Sequence, residues 1–293
     1  MEERIGFVGL GIMGQRMAAN LLRHQPINIY NRTKARGEAL TALGAVWCDS
    51  PEELARASTI VLSMVSDDDA LRAVVEGNRG LLKGVGKGTL IVDHSTVSAG
   101  VTRDLAAKAR DRGAAWADAP VTGGDIGAEK GTLTIMVGAE AQDFNRVRPV
   151  LQQMGQRIFH VGGVGQGQTL KLISNMVSAL NLMAAAEGLQ FGLHQGLAVD
   201  DMAAVMNLGS AQSFELSKVL DRYTHANFAP GFSVANRLKD LRLAVAMAKT
   251  EGYPADLAAC ALPLYEAHDR SGFHDQDEAS YVQRWDAQKG AKL

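Results

Sequence analysis

Lys171 and Asn175 lie one helical turn apart in a proline-free stretch, residues 165–195, that is rich in Leu, Met and Ala. Following the pair Gly162 and Gly163, that composition predicts one long helix. At 3.6 residues per turn, Lys171, Ser174, Asn175 and Ser178 share a face. Leu170, Ile173, Val177, Leu180 and Ala184 form a second, apolar stripe. An amine and an amide so placed can exchange a proton and hold an oxygen. A lysine with its ordinary pKa of about 10.4 needs desolvation to act as a base near neutrality. A surface lysine among solvated polar neighbours is the competing reading, and this helix alone does not decide between them.

A second set of residues could hold phosphates. The apolar run 5–8 is followed at once by Gly9, Leu10, Gly11, Ile12, Met13 and Gly14, then by a helical pattern to about residue 24. Strand, glycine turn and helix form the context in which G-x-G-x-x-G binds a dinucleotide. Gly9 permits the tight turn, Gly11 admits the pyrophosphate, and Gly14 lets helix and strand pack closely. The helix start then offers N–H groups and partial positive charge. The next strand, 27–30, ends in Asn31, Arg32 and Thr33. An acid at that position would take the ribose hydroxyls; a guanidinium with neutral neighbours suits a 2′-phosphate and argues for NADP(H). Alternatively Arg32 stacks over adenine and NAD(H) serves as well.

Further groups sit at predicted strand ends. Strand 59–65 closes with Met64 and Val65 at the edge where cofactors lie in such sheets. Strand 89–92 delivers Asp93, His94, Ser95 and Thr96, of which Thr96 is expected near the nicotinamide ribose and Asp93 and His94 in structural roles. After strand 114–117, Thr122, Gly123 and Gly124 offer a hydroxyl and backbone N–H groups able to cradle an anion. Lys239 and Asp240 follow much later, either as a pair directed at the site or as an exposed pair of helix charges.

These residues need a framework. Strands and helices alternate over the first 160 or so residues, as in a doubly wound α/β domain, and helical periodicity alone continues afterwards. The predicted organisation is a Rossmann-type dinucleotide-binding domain, 1–163, then a long linking helix within an all-α domain, 164–293, for substrate and self-association. The net charge of −2 gives no broad footprint for nucleic acid or an acidic membrane. Cys48 and Cys260 have no metal or redox spacing, and the seven histidines show no ligand pattern, so no metal is expected. The start, Met1 to Arg4, does not resemble a signal peptide, and no apolar run reaches the length of about 18 that spans a bilayer. A soluble, cytoplasmic protein is expected, with a homodimer or homotetramer formed through its apolar helices.

Four segments in order, GLGIMG at 9–14, DAPVTGG at 118–124, GQGQTLKLISN at 165–175 and KDLRLA at 239–244, resemble the β-hydroxyacid dehydrogenase family over nearly the whole chain. That family includes 3-hydroxyisobutyrate dehydrogenases, tartronate semialdehyde reductases and glyoxylate or succinic semialdehyde reductases. The resemblance implies a cleft between a Rossmann and a helical domain. It also implies hydride transfer between NADP(H), or NAD(H), and a small carboxylate bearing a hydroxyl or aldehyde. Lys171 corresponds to the family's catalytic lysine and Asn175 to its nearby asparagine. Thr122, Gly123 and Gly124 correspond to its substrate-carboxylate loop, and Lys239 to its second-domain lysine, at substrate and cofactor. Thr122 departs from the usual serine, keeping the hydroxyl but narrowing the pocket by a methyl, and Met176 replaces a common second asparagine. Imine reductases share the fold but lack the lysine. A nicotinamide-binding protein without catalysis is the other alternative.

Overall fold

The computed structural model describes residues 3–285. The first unit contains β1 (Ile5–Val8), α1 (Ile12–Leu22), β2 (Ile27–Tyr30), α2 (Glu38–Ala42), β3 (Val46–Trp47), α3 (Pro51–Ala57), β4 (Ile60–Ser63) and α4 (Asp68–Glu76). It continues with β5 (Leu90–Asp93), α5 (Ala99–Asp111), β6 (Ala115–Asp118), β7 (Val121–Thr122), α6 (Gly124–Lys130), β8 (Leu133–Gly138), α7 (Ala141–Leu151) and β9 (Gly155–Gly162). β1, β4 and β5 are buried along their whole lengths, as strands covered on both faces must be. Ile5 and Phe7 feed one core and Val8 another, so alternate residues supply the two layers.

Among the described residues the sheet runs β3-β2-β1-β4-β5-β6-β8-β7, with β9 paired to β8. Neighbours from β3 to β6 are parallel, while β8 meets β6 and β7 antiparallel. Strand order reverses at β1 and β4, where such sheets open a crevice at the carboxyl ends of the strands. The helix starts of α3 and α4 carry side-chain caps. Ser50 caps α3 ahead of Pro51, and Asp67 caps α4.

α6 was not foreseen. Gly123 caps it and Gly124 opens it with φ of +128° and +62°, and Gly131 ends it with φ of +66°, so its low intrinsic propensity concealed it. Tertiary packing holds it against α1, where Asn20 Nδ2 donates to the carbonyl of Ala128 at 2.6 Å. α5 and the two-residue strands β3 and β7 were likewise unassigned, and the segment 277–285, whose sequence pattern predicts a helix, is 3₁₀ over Glu278–Gln283.

α8 (Gln166–His194) is a single helix, as predicted. The chain divides between Lys171 and Leu172, so α8 begins in the first unit and continues into the second. There it packs with α9 (Val199–Met206), α10 (Phe214–Thr224), α11 (Val234–Thr250) and α12 (Asp256–His268) around Leu182, Leu189, Leu216 and Leu241. α8 reaches the length and hydropathy of a bilayer-spanning helix, which its broken apolar run had not suggested. Its Gln168, Asn175 and Gln190 side chains are nevertheless buried and hydrogen-bonded to protein groups, the arrangement of a core helix.

Candidate active site

The three glycines of the 9–14 turn have different tasks. Gly9 has φ of +93°, and a Cβ there would stand 2.2 Å from the Met64 carbonyl oxygen. At Gly14 a Cβ would stand 1.9 Å from the carbonyl oxygen of Gly9, so both glycines serve packing. Gly11 has nothing within 4 Å of a Cβ, although it caps α1 without any side-chain acceptor. Open space before the positive end of a helix is what a pyrophosphate requires. The residues present therefore fit a dinucleotide.

Around that turn, Gly9 N donates to the Tyr30 carbonyl at 3.0 Å and Leu10 N to Asn31 Oδ1 at 2.9 Å. Asn31 Nδ2 donates to the Thr33 carbonyl at 2.9 Å, so Asn31 braces the turn as well as standing beside the predicted adenosine site. Arg32 and Thr33 are exposed; Ile12 is exposed, and Met13 packs partly against the core.

Next along the edge, Ser63 and Ser95 both donate to Asp93 Oδ1 at 2.7 Å, and the Ser95 hydroxyl accepts from Val65 N at 2.9 Å. This joins the ends of β4 and β5 and sets Met64, Val65 and half-buried Thr96 on adjoining loops. His94 is wholly buried with Nδ1 2.7 Å from the Ala119 carbonyl oxygen; burial lowers its pKa to about 4. Asp93 and His94 thus have the structural surroundings expected of them.

Thr122 lies on β7 opposite Thr134, exposed together with Gly123 and Gly124. The positive φ values of both glycines give the turn a shape that residues with a Cβ rarely adopt.

Lys171 is only 8% exposed, which removes the surface-lysine reading. Asn175 is equally buried, Ser178 half-buried and Ser174 exposed. Leu170, Ile173 and Val177 are 40%, 43% and 47% exposed, so Lys171 and Asn175 are covered while the apolar stripe faces outward.

In the second unit, Asn175 Nδ2 donates to Asp240 Oδ2 at 2.6 Å, and Lys239 Nζ stands 3.0 Å from Asp240 Oδ1. One buried carboxylate therefore serves both predicted residues, leaving the Asn175 carbonyl end directed elsewhere. Arg237 donates to the Asn175 backbone carbonyl at 2.9 Å and to Ser178 Oγ at 2.8 Å, and it pairs with Glu278. Ser178 also bonds Glu215, whose pKa is raised by burial and then by the nearby Glu278. Ser178 belongs to this ion cluster, and the sequence offered only an unexplained Arg237 beside the KDLRLA segment as a signal for it.

Residues 4–162 match the family model described as the NAD binding domain of 6-phosphogluconate dehydrogenase. Residues 165–285 match that described as the NAD-binding domain of NADP-dependent 3-hydroxyisobutyrate dehydrogenase. The chain belongs to the β-hydroxyacid dehydrogenase family. It is 36% identical to 2-hydroxy-3-oxopropionate reductase of Escherichia coli K12, covering 99% of each chain. It is 34% identical to 2-(hydroxymethyl)glutarate dehydrogenase of Eubacterium barkeri, covering 99% of this chain and 97% of that one. The solved structure of Mycobacterium tuberculosis 3-hydroxyisobutyrate dehydrogenase with L-serine is 28% identical, with a TM-score of 0.90 over 97% of this chain and 99% of that one. This β-hydroxyacid dehydrogenase is accordingly an NAD(P)-dependent oxidoreductase of hydroxyacids or semialdehydes.

Proposed function

We propose that the enzyme reversibly reduces a small semialdehyde acid with NADPH, using Lys171 as proton donor and, in oxidation, as base. The observation that carries this reading is the burial of Lys171 on a helix whose neighbouring apolar residues are exposed. A buried amine must be held there at a cost in desolvation. The nicotinamide, when bound, supplies or accepts the hydride. Lys171 gives its proton to the carbonyl oxygen of the substrate as that oxygen gains charge. Asn175, held through its amide nitrogen by Asp240, offers its carbonyl end to the Lys171 ammonium or the substrate hydroxyl. Thr122, Gly123 and Gly124 hold the substrate carboxylate with Lys239, which also borders the cofactor. Gly9 to Gly14, Met64, Val65 and Thr96 hold the dinucleotide, and Arg32 with Thr33 takes the 2′-phosphate that sets NADP(H) above NAD(H).

The enzyme works dissolved in the cytoplasm as a homodimer or homotetramer, with the exposed apolar stripe of α8 covered by a second copy. In this reading the cofactor is held on residues 1–163, and substrate binding with self-association falls to 164–293. Lys171→Met keeps side-chain volume and removes the amine. It should lower kcat by roughly 10²–10⁴-fold at saturating cofactor and substrate while leaving coenzyme binding nearly intact. Near-normal kcat in the folded variant removes Lys171 from the mechanism. Activity on a neutral aldehyde equal to that on glyoxylate or a semialdehyde acid removes the carboxylate loop from it.

A further inference from the structure

The seating of Lys171 is decided at the start of α8, within the first unit. Asp118, at the end of β6, accepts Gly165 N on Oδ1 at 2.6 Å and Gln168 N on Oδ2 at 2.8 Å. Both oxygens of one carboxylate are thus spent on the first turn of the helix that carries Lys171. Gln168 is fully buried, and its side chain reaches the other way. Its Oε1 accepts Val97 N at 3.2 Å, and its Nε2 donates to the Ser95 carbonyl at 2.7 Å. Thr96 lies between the two residues so gripped.

The seat is close-fitting. A Cβ at Gly167 would stand 2.5 Å from the Met136 carbonyl oxygen and 2.8 Å from that of Asp118. A Cβ at Gly138 would stand 2.7 Å from Asp118 Oδ1. Backbone therefore meets backbone where α8 enters the sheet, and Lys171 follows one turn later. We propose that Asp118 and Gln168 are positioning residues, a clamp that holds Lys171 and Thr96 in one frame. The proposal rests on Lys171 being the proton-exchanging group.

The charge of Asp118 is part of the clamp. A carboxylate at a helix amino end is favoured by the helix dipole, and each ionised oxygen accepts an N–H. Burial raises the pKa of Asp118 to about 6, against the pull of the Gly165 and Gln168 amides, and Asp93 adds to the rise. The other groups nearby are His94, held at the Ala119 carbonyl, and Arg103 of α5, which packs on Gly165. Protonation turns one acceptor into a donor facing an N–H, which loosens the first turn.

Two variants test this. Asp118→Asn removes the charge and one acceptor; Gln168→Met removes both side-chain bonds at similar volume and leaves the charge in place should the first fold poorly. For each, kcat and KM are measured across pH, and acylation of Lys171 by an amine-reactive ester is read by peptide mass spectrometry against exposed Lys130. Misplacement of the amine should cost roughly 10–100-fold in kcat with a smaller change in KM. The Lys171-to-Lys130 labelling ratio should rise at least about threefold as the first turn opens. The wild-type enzyme should lose kcat as pH falls through about 6, a limb absent in Asp118→Asn. Folded variants with wild-type kcat, pH profile and labelling overturn the clamp. If Lys171→Met is inactive while both variants are unaffected, the clamp fails and the proton-exchange role stands. If Lys171→Met is active while labelling still shifts, that role fails and the seating of Lys171 stands.

Discussion

Replacing Gly11 by alanine should separate cofactor binding from folding. Gly11 sits at φ of −72° and ψ of −171°, a conformation alanine adopts freely, and nothing lies within 4 Å of the added methyl. The remaining loss is that of alanine at a helix cap, about 0.5–1 kcal/mol. The methyl does, however, enter the space kept before the amino end of α1. Forcing a methyl against a close-fitting group costs about 1–3 kcal/mol, which converts to roughly 5–150-fold in Kd. Gly9→Ala provides the contrast. At φ of +93° and with a Cβ 2.2 Å from the Met64 carbonyl, it should lose several kcal/mol of stability before any ligand is added. Thermal melts without coenzyme and fluorescence titrations with NADPH read the two effects apart. Gly11→Ala binding NADPH as tightly as wild type, or melting as early as Gly9→Ala, would refute the assignment of that space to the dinucleotide.

Arg32→Ala should weaken NADPH by tenfold or more, from the loss of a charged contact of about 1.5–3 kcal/mol, and leave NADH little changed; equal losses in paired Kd measurements would remove the guanidinium from coenzyme choice. His94 is buried neutral, its pKa lowered from 6.5 to about 4. Its contribution is present above pH 6.5 and is lost as pH falls toward 4, so wild type should lose up to about 3 kcal/mol relative to His94→Gln across that window in urea unfolding. A constant difference would contradict this. Val177→Glu, on the exposed stripe, should shift sedimentation toward monomer, and an unchanged assembly would place the subunit contact elsewhere.

The glycine turn of the first unit was legible in the sequence. A glycine turn works through backbone conformation, so Gly9, Gly11 and Gly14 carry their meaning in sequence spacing, and the structure has the first and last packed and the middle one open. The long helix was equally plain, since propensity and the lack of proline act locally. Which of its faces is covered was not, because periodicity gives stripes without saying what lies opposite them. The covered face holds Lys171 and Asn175, and Leu170, Ile173 and Val177 lie outside. α6 escaped notice because its glycines argue against a helix that tertiary contact, with α1 above all, sustains. Asp118 and Gln168 stand inside two of the motifs, but spacing assigns them no role. Their hydrogen bonds join segments 47 to 73 residues apart, and only folding brings those partners within reach.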